Sequence, residues 1–139
     1  MKLVIVESPY GGYKLNSEEV EENVRYAYEA CRDCLNRGES GWGSHIIWTQ
    51  FLDDKNPEHR RLGMLAGLAW SRVADYHAFY TDRGWSDGML TALLFCLADQ
   101  IPFRVRALHG EVVKPPVWWL EERGGWMQSY ISSVMEMYK

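Results

Sequence analysis

The sequence has no long apolar run and no excess of positive charge. No segment of its 139 residues approaches the roughly 20 apolar residues of a membrane-spanning helix, and the apolar run at the N-terminus is too short for a signal peptide. The formal net charge is −4, whereas a general nucleic-acid binder carries a basic stripe. We therefore expect a cytoplasmic protein that binds neither membranes nor nucleic acid.

Cysteines are few, and the familiar signatures of metal and nucleotide sites are missing. Three cysteines, an odd number, fit free thiols in a reducing compartment. Cys31 and Cys34 form a C-x-x-C, but the pair lies late in a helical stretch, where the helix dipole does not stabilise a thiolate. There is no Walker loop, G-x-S-x-G or complete G-x-G-x-x-G, and the four histidines are scattered without metal-ligand spacing. We expect no metal and no cofactor.

Apolar runs of strand length alternate with helical patterns along the chain. Strands are predicted at KLVIV, IIW (residues 46–48), DYHAFYTD and IPFRVRAL, the last of them at an edge or half-covered position because its apolar residues alternate with arginines. Asn16 or Ser17, Asn56 with Pro57, and Ser86 suit the starts of the helices. Alternating strands and helices indicate βαβ units with right-handed crossovers. The sequence therefore predicts a small, doubly wound parallel sheet in a three-layer α/β/α arrangement.

The seven tryptophans and eight tyrosines are many for this length, and several lie near the C-terminus. The α/β pattern occupies residues 1–113, and residues 114–139 form an aromatic segment with helical spacing. We predict one α/β domain followed by a C-terminal helical extension, which packs on that domain or on a partner subunit.

Three loops follow the predicted strands, at the edge of the sheet where doubly wound folds bind ligands. Their sequences are ESPYGG (7–12), WTQFLDD (48–54) and TDRGWSD (81–87). Each carries polar or aromatic groups, and together they predict a ligand pocket. The candidate binding residues are Ser8, Tyr10, Gly11, Gly12, His45, Gln50, Asp53, Gly84, Ser86 and Gly88.

The third loop carries the strongest of these signals. Ser86 at a helix N-terminus offers a hydroxyl beside free backbone N–H groups, an arrangement that binds phosphate, although an ordinary helix cap explains it equally well. In the first loop, Gly11 and Gly12 allow close backbone approach and Tyr10 can stack on a base. A simple turn with an interface tyrosine is the alternative there.

Four stretches, VIVESPYGG, ENVRYAYEACRDCLNRG, SHIIWTQFLDD and YTDRGWSDGM, together resemble the nucleoside 2-deoxyribosyltransferase-like superfamily, most closely its small members from bacteria and their phages. The resemblance covers residues 3–106 and rests on the order and spacing of the stretches. It implies a flavodoxin-like fold, a homodimer or higher homo-oligomer, and chemistry at the N-glycosidic bond of deoxynucleosides or their monophosphates. In that family a Glu one turn into the third helix attacks the anomeric carbon, in a pattern like G-T-x-x-E.

This sequence departs from the family at that nucleophile. Gly88 matches the glycine of the pattern, and the Glu position falls on Ala92, whose methyl group cannot attack a sugar. The resemblance matches Ser86 to the hydroxyl that holds a phosphate and Tyr10 to the tyrosine near the sugar and base. The acids that could replace the missing nucleophile are Asp82, Asp87 and Glu7.

These observations favour a nucleotide- or nucleoside-binding protein without chemistry, a sensor or a sink for a signalling nucleotide. One alternative is an active N-glycosidase or 2-deoxyribosyltransferase that uses another carboxylate. The other alternative is a protein-protein interaction module that acts through the C-terminal segment.

Overall fold

Four parallel strands form the single sheet of the described structure. The computed structural model describes residues 1–11, 15–116, 118 and 121–122. Within them the strand order is β2-β1-β3-β4. The strands are β1 (Lys2–Glu7), β2 (Glu39–Trp42), β3 (Tyr76–Tyr80) and β4 (Phe103–Arg106). The predicted parallel α/β fold is confirmed, and β4 lies at an edge as its alternating pattern indicates; most of the predicted C-terminal extension lies outside the described residues.

Helices connect successive strands on both faces of the sheet. They are α1 (Ser17–Asn36), α2 (Ser44–Ile47), α3 (Pro57–Ser71) and α4 (Asp87–Ala98). Because α1 leads from β1 to β2 and α3 leads back past β1 to β3, the winding direction reverses between β1 and β3. Such a reversal opens a crevice at the carboxyl ends of the two strands. No helix of the described ranges is long and apolar enough to cross a membrane.

Short polar signals in the sequence define where the long helices begin. Asn16 forms a capping box with Glu19 at the start of α1. Asn56 caps α3 directly before Pro57, and the Ser86 hydroxyl accepts a hydrogen bond at the start of α4. The predicted helix starts are therefore confirmed, with Asn16 rather than Ser17 as the cap of α1.

The predicted second strand is wrong. Residues 46–48 form the end of α2 and the start of a 3-10 turn (Trp48–Gln50), whereas β2 is the earlier stretch ESGW. An apolar run of three residues does not distinguish a strand from a helix turn, since both bury apolar side chains. The β2 sequence, ESGW, contains no apolar run. It nevertheless pairs with β1, from Lys2 opposite Glu39 to Ile5 opposite Trp42. Tertiary contacts therefore determine this strand.

One face of the sheet packs against α1 around a buried cluster: Val4, Val6, Tyr26, Ala30, Cys34, Ala78 and Tyr80. At the edge of this cluster Arg106 of β4 makes a bidentate ion pair with Glu39 of β2, at 2.8 Å for each of its two N–O distances. The two side chains are only 11% and 10% exposed. Because β1 and β3 lie between these strands, the ion pair links the two edges of the sheet.

The other face carries α3 and α4, which pack very differently. α4 is apolar on most sides and buries seven residues: Met89, Leu90, Thr91, Leu93, Leu94, Phe95 and Cys96. α3 buries only Leu65 and Ser71. A cavity lies between α3 and the sheet, and residues from both line it.

The three cysteines are free and fit the interpretation of the C-x-x-C as part of a packed helix. Cys34 and Cys96 are buried, and Cys31 is partly buried. Burial raises the pKa of Cys31 to about 11 and also raises the pKa of Cys34. The thiolate is the reactive form, so these thiols are poor nucleophiles at neutral pH.

Candidate functional site

The cavity opens at the carboxyl ends of β1 and β3 and extends beneath α3. Its volume is about 650 Å³. The loop after β1, the segment from α2 to α3 and the first turns of α4 all contribute to its lining. It therefore lies at the winding reversal, where doubly wound folds bind their ligands.

Glu7, the last residue of β1, supplies a carboxylate to the cavity. Its Oε1 lies 2.9 Å from Nδ1 of His77, and the Nε2 of His77 lies 2.9 Å from the Ser71 hydroxyl. Ser71 also donates to the carbonyl of Gly67 at 3.1 Å. This hydrogen-bonded chain connects β1, β3 and the end of α3, and all three of its side chains line the cavity.

A second serine–histidine contact lies at the loop after β1. The Ser8 hydroxyl is 2.8 Å from Nε2 of His45, and the ring of Tyr10 meets the His45 ring edge-on at 6.5 Å. Burial lowers the pKa of His45, with a smaller opposing effect of the Glu7 charge. The lowered pKa favours the neutral ring, which can donate one hydrogen bond to the Ser8 hydroxyl or accept one from it.

The start of α4 forms another wall of the cavity. Ser86, Asp87, Gly88 and Ala92 all line it. The Ser86 hydroxyl accepts a hydrogen bond from the Met89 amide at 3.2 Å and so caps α4. Because it accepts in this bond, its own hydrogen remains available to donate to a ligand. Ala92 presents only a methyl group, and α4 therefore offers the cavity no carboxylate one turn into the helix.

The remaining walls come mainly from α3 and the turn before it. Apolar side chains dominate the deep part: Ile5, Met64, Leu65, Leu68, Met89 and Phe95. Nearer the start of α3, Arg60 lies 3.3 Å from Asp54, and Lys55 and His59 also line the cavity. The cavity thus combines apolar walls with a few polar groups, which is typical of small-molecule sites.

Most of the predicted binding residues and candidate acids line this cavity: Glu7, Ser8, Tyr10, Gly11, His45, Ser86, Asp87 and Gly88. Four others do not. Gln50 is exposed and bonds the Ile46 carbonyl, Asp53 accepts from the Lys55 amide in a turn, and Gly84 has a positive φ of 84° in the loop before α4. Gly12 lies outside the described residues.

Asp82, the fourth of these, has a structural role instead. Its carboxylate accepts hydrogen bonds from the Tyr26 hydroxyl and from the amides of Leu108 and His109. Burial would raise the pKa of Asp82, but these donors hold it below its usual value. Asp82 therefore ties the segment after β4 to the loop after β3 and to α1, and it is not free to act on a ligand.

Replacing Asp82 by Ala is expected to lower the free energy of unfolding by about 2 to 3 kcal/mol, because two backbone amides and a tyrosine hydroxyl lose their acceptor. Urea denaturation measures this change. Asp99→Ala is the matched control, since Asp99 is exposed at the end of α4 and should change stability by less than about 0.5 kcal/mol. Equal stabilities of the two variants would contradict the structural role of Asp82.

Ser71, His77, His59 and the apolar residues of α3 were not predicted at the site. Their place depends on how α3 lies across the sheet, which no local pattern encodes. His77 offers one usable signal, because it is a polar residue at an inward-facing position of a buried strand and is only 2% exposed. Within the described part of the chain, no group of three or more His, Cys, Asp or Glu side chains could hold a metal ion.

Comparisons with known proteins bear on the fold. The chain is similar to the solved structure of a 2-deoxyribosyltransferase from the psychrotolerant bacterium Bacillus psychrosaccharolyticus, with a TM-score of 0.53 and 17% identity over 81% of this chain and 77% of that chain. A likeness at this level of identity shows a shared fold. None of the curated proteins matches the chain. A domain family of unknown function, DUF7768, matches residues 2–106. The chain therefore belongs to the DUF7768 family.

Proposed function

We propose that the cavity binds a nucleoside or a nucleotide. The observation that carries this proposal is its position and size: about 650 Å³ at the winding reversal between β1 and β3. Small-molecule sites measure roughly 300 to 1,000 Å³, and this cavity falls within that range. The fold shared with a 2-deoxyribosyltransferase supports the same class of ligand.

The lining suits the parts of such a ligand. Apolar walls from α3 and α4 can enclose a base, and Tyr10 at the first loop can stack on it. The Ser86 hydroxyl at the start of α4 can donate to a hydroxyl or a phosphate of the ligand. Because Ala92 leaves the position one turn into α4 without a carboxylate, binding through these contacts suits a sensor or a sink for a signalling nucleotide.

The alternative of an N-glycosidase or 2-deoxyribosyltransferase has one observation in its favour. Glu7 remains in the cavity as a partly buried carboxylate, 17% exposed at its side chain. The interaction role of residues 114–139 and the homo-oligomeric state stay predictions, and most of that segment lies outside the described residues.

The binding proposal is tested with the four deoxynucleosides and their 5′-monophosphates. At a ligand concentration of 100 times Kd, binding to the folded state adds about 2.7 kcal/mol of stability, which a thermal shift assay detects. Calorimetry then gives Kd for the ligands that shift the transition. A flat response to all eight compounds would contradict the proposal.

A cavity-filling variant locates the binding. Ala92→Phe places a ring in the cavity and is expected to weaken binding at least about 100-fold, or about 2.7 kcal/mol. Leu97→Phe is the matched control, because Leu97 lies on the same helix and is 55% exposed. If Ala92→Phe binds as tightly as Leu97→Phe, the ligand binds elsewhere.

A further inference from the structure

The charges that line the cavity are unevenly distributed. The described lining contains one lysine and one arginine, Lys55 just before α3 and Arg60 in its first turn. Of the lining acids, Glu7 ends β1 and Asp87 begins α4, whereas Asp54 pairs with Arg60 at 3.3 Å. An anionic part of a ligand is therefore attracted to the start of α3 and repelled by the walls that β1 and α4 form.

The guanidinium of Arg60 uses only part of its donor set. Both contacts with Asp54 come from one nitrogen, Nη1, at 3.4 Å to Oδ1 and 3.3 Å to Oδ2. These distances are longer than the roughly 2.7 to 2.9 Å of a strong charge-assisted hydrogen bond. Among the described residues Nε and Nη2 have no hydrogen-bond partner. Since arginine binds phosphate through two adjacent N–H groups, Arg60 can do so without leaving Asp54.

His59 adds a donor whose tautomer is fixed by the backbone. The amide of Asp53 donates to Nδ1 of His59 at 2.9 Å. A ring nitrogen that accepts carries no hydrogen, so the hydrogen of this ring is on Nε2. His59 lines the cavity, and within the described ranges Nε2 has no partner. The ring is therefore held in the form that can donate to an anion.

The loop after β1 lies next to this group of side chains. A Cβ added at Gly11 would lie 3.9 Å from Oδ2 of Asp54, so the backbone of this loop approaches the pair of Asp54 and Arg60 closely. Tyr10, the candidate for stacking on a base, directly precedes Gly11, and both line the cavity. A ligand whose base contacts Tyr10 therefore has the start of α3 within reach of a phosphate on its sugar.

Side chains rather than the helix terminus form this group of donors. The Asn56 side chain already accepts from the amides of Glu58 and His59 at the start of α3, at 3.0 and 3.4 Å. At the start of α4, by contrast, the neutral hydroxyl of Ser86 is followed directly by the carboxylate of Asp87. The electrostatic difference between the two ends favours α3 for a phosphate and leaves Ser86 to a sugar hydroxyl.

We propose that Arg60 and His59, together with Lys55, form an anion subsite that takes the phosphate of a nucleotide at the start of α3. The phosphate oxygens accept from Nε and Nη2 of Arg60 and from Nε2 of His59. This subsite rests on the proposed binding of a nucleoside or nucleotide and differs from the phosphate position at Ser86 that the family resemblance implies.

Calorimetry with the four deoxynucleosides and their 5′-monophosphates measures what the phosphate adds. Each monophosphate that binds should bind at least about 10-fold tighter than its nucleoside, because hydrogen bonds between charged groups are strong. Arg60→Gln should lower monophosphate affinity at least about 10-fold and leave nucleoside affinity within about threefold. Arg61→Gln is the matched control and should change neither, since Arg61 pairs with Glu58 at 3.4 Å and is absent from the described lining.

Asp54→Asn should act in the opposite direction. It removes the acid that competes for Arg60, so monophosphate affinity should rise by about threefold or more while nucleoside affinity stays unchanged. The side chains of Arg60 and Asp54 are 42% and 31% exposed, and loss of such an ion pair costs little stability, so both variants should fold. A fall of monophosphate affinity in Asp54→Asn would overturn the subsite.

Ser86→Ala and inorganic phosphate complete the test. Ser86→Ala should weaken binding of a nucleoside and its monophosphate by the same factor. Selective loss of monophosphate affinity in Ser86→Ala, with none in Arg60→Gln, would place the phosphate at α4 and overturn the proposal. Inorganic phosphate alone should bind at least about 10-fold more weakly than a monophosphate that binds, because it lacks the contacts of base and sugar. Equal binding would show a general phosphate site instead.

The two proposals fail differently. Equal affinities of each nucleoside and its monophosphate would overturn the anion subsite and leave the binding function intact. Absence of binding for all eight compounds would overturn both.

Discussion

Replacing Arg106 by Met is expected to lower the free energy of unfolding at neutral pH by about 3 to 5 kcal/mol, because Glu39 would remain buried without its partner. The present pair is bidentate, with both N–O distances at 2.8 Å. Tyr76 and Tyr80 add hydrogen bonds around the guanidinium, at 3.4 and 3.2 Å. Urea denaturation of both chains gives the difference.

The loss should depend on pH in a defined direction. Hydrogen bonds from Arg106, opposed by desolvation, lower the pKa of Glu39 from its usual 4.5 to about 2. A carboxylate whose pKa is lower in the folded state than in the unfolded state stabilises the fold. This stabilisation is complete above the unfolded-state pKa and disappears as the pH falls through the folded-state pKa. This lowering of the Glu39 pKa corresponds to about 3 kcal/mol of stability. The gap between the two chains should therefore narrow between about pH 4.5 and pH 2.

Two further variants separate the ion pair from general effects of losing an arginine. Arg104→Met, on the same strand, removes an exposed arginine that lies 5.1 Å above the Tyr76 ring and should cost less than about 1 kcal/mol. Arg106→Met combined with Glu39→Leu should be more stable than Arg106→Met alone, since no buried charge is left. A double variant weaker than the single one would contradict the explanation.

The second large effect is expected at Gly41 of β2. A Cβ there would lie 2.8 Å from the Cys34 Cβ, 3.0 Å from its Sγ and 3.2 Å from the Val6 Cγ2. The Cys34 Cβ is attached to the backbone of α1, so it cannot rotate away and the helix must move off the sheet. Gly41→Ala is therefore expected to destabilise the chain by about 3 kcal/mol, the upper part of the range for overpacking. Thermal unfolding followed by circular dichroism checks it.

Gly63→Ala provides a control of opposite sign. Its added Cβ would meet only ordinary contacts, 3.7 Å from Leu52 and 3.9 Å from Trp48. Gly63 lies inside α3, where alanine is favoured over glycine by about 0.8 to 1 kcal/mol. It should therefore raise the melting temperature, and a rise in Gly41→Ala as well would show that α1 and β2 are not closely packed.

The sequence was sufficient for the architecture but not for every element. Alternation of apolar runs with amphipathic stretches is a local signal, and it correctly predicts β1, β3, β4 and the long helices. The same signal does not predict β2, because its first residue, Glu39, can be buried only by pairing with Arg106, 67 positions further along the chain. The apolar residues 46–48 instead favour a strand in the sequence, although they form helical turns.

The same distinction applies to the site. Residues in loops after strands, such as Ser8 and Ser86, were found because the strand ends alone locate them. Asp82 was a reasonable candidate from its loop, but its carboxylate is occupied by donors from distant parts of the chain. Ser71 lines the cavity because of the way α3 packs across the sheet. Local sequence patterns do not predict that packing.

Both margins of the sheet consist of strands of only four residues, β2 and β4. A short margin exposes few unpaired backbone groups, and therefore gives a neighbouring molecule little to extend as an additional strand. The exposed Arg104 places a charge on β4, which further disfavours edge-to-edge pairing of this strand with a strand of another molecule. The fold can accordingly keep a wide opening beneath one helix without becoming prone to aggregate through its sheet.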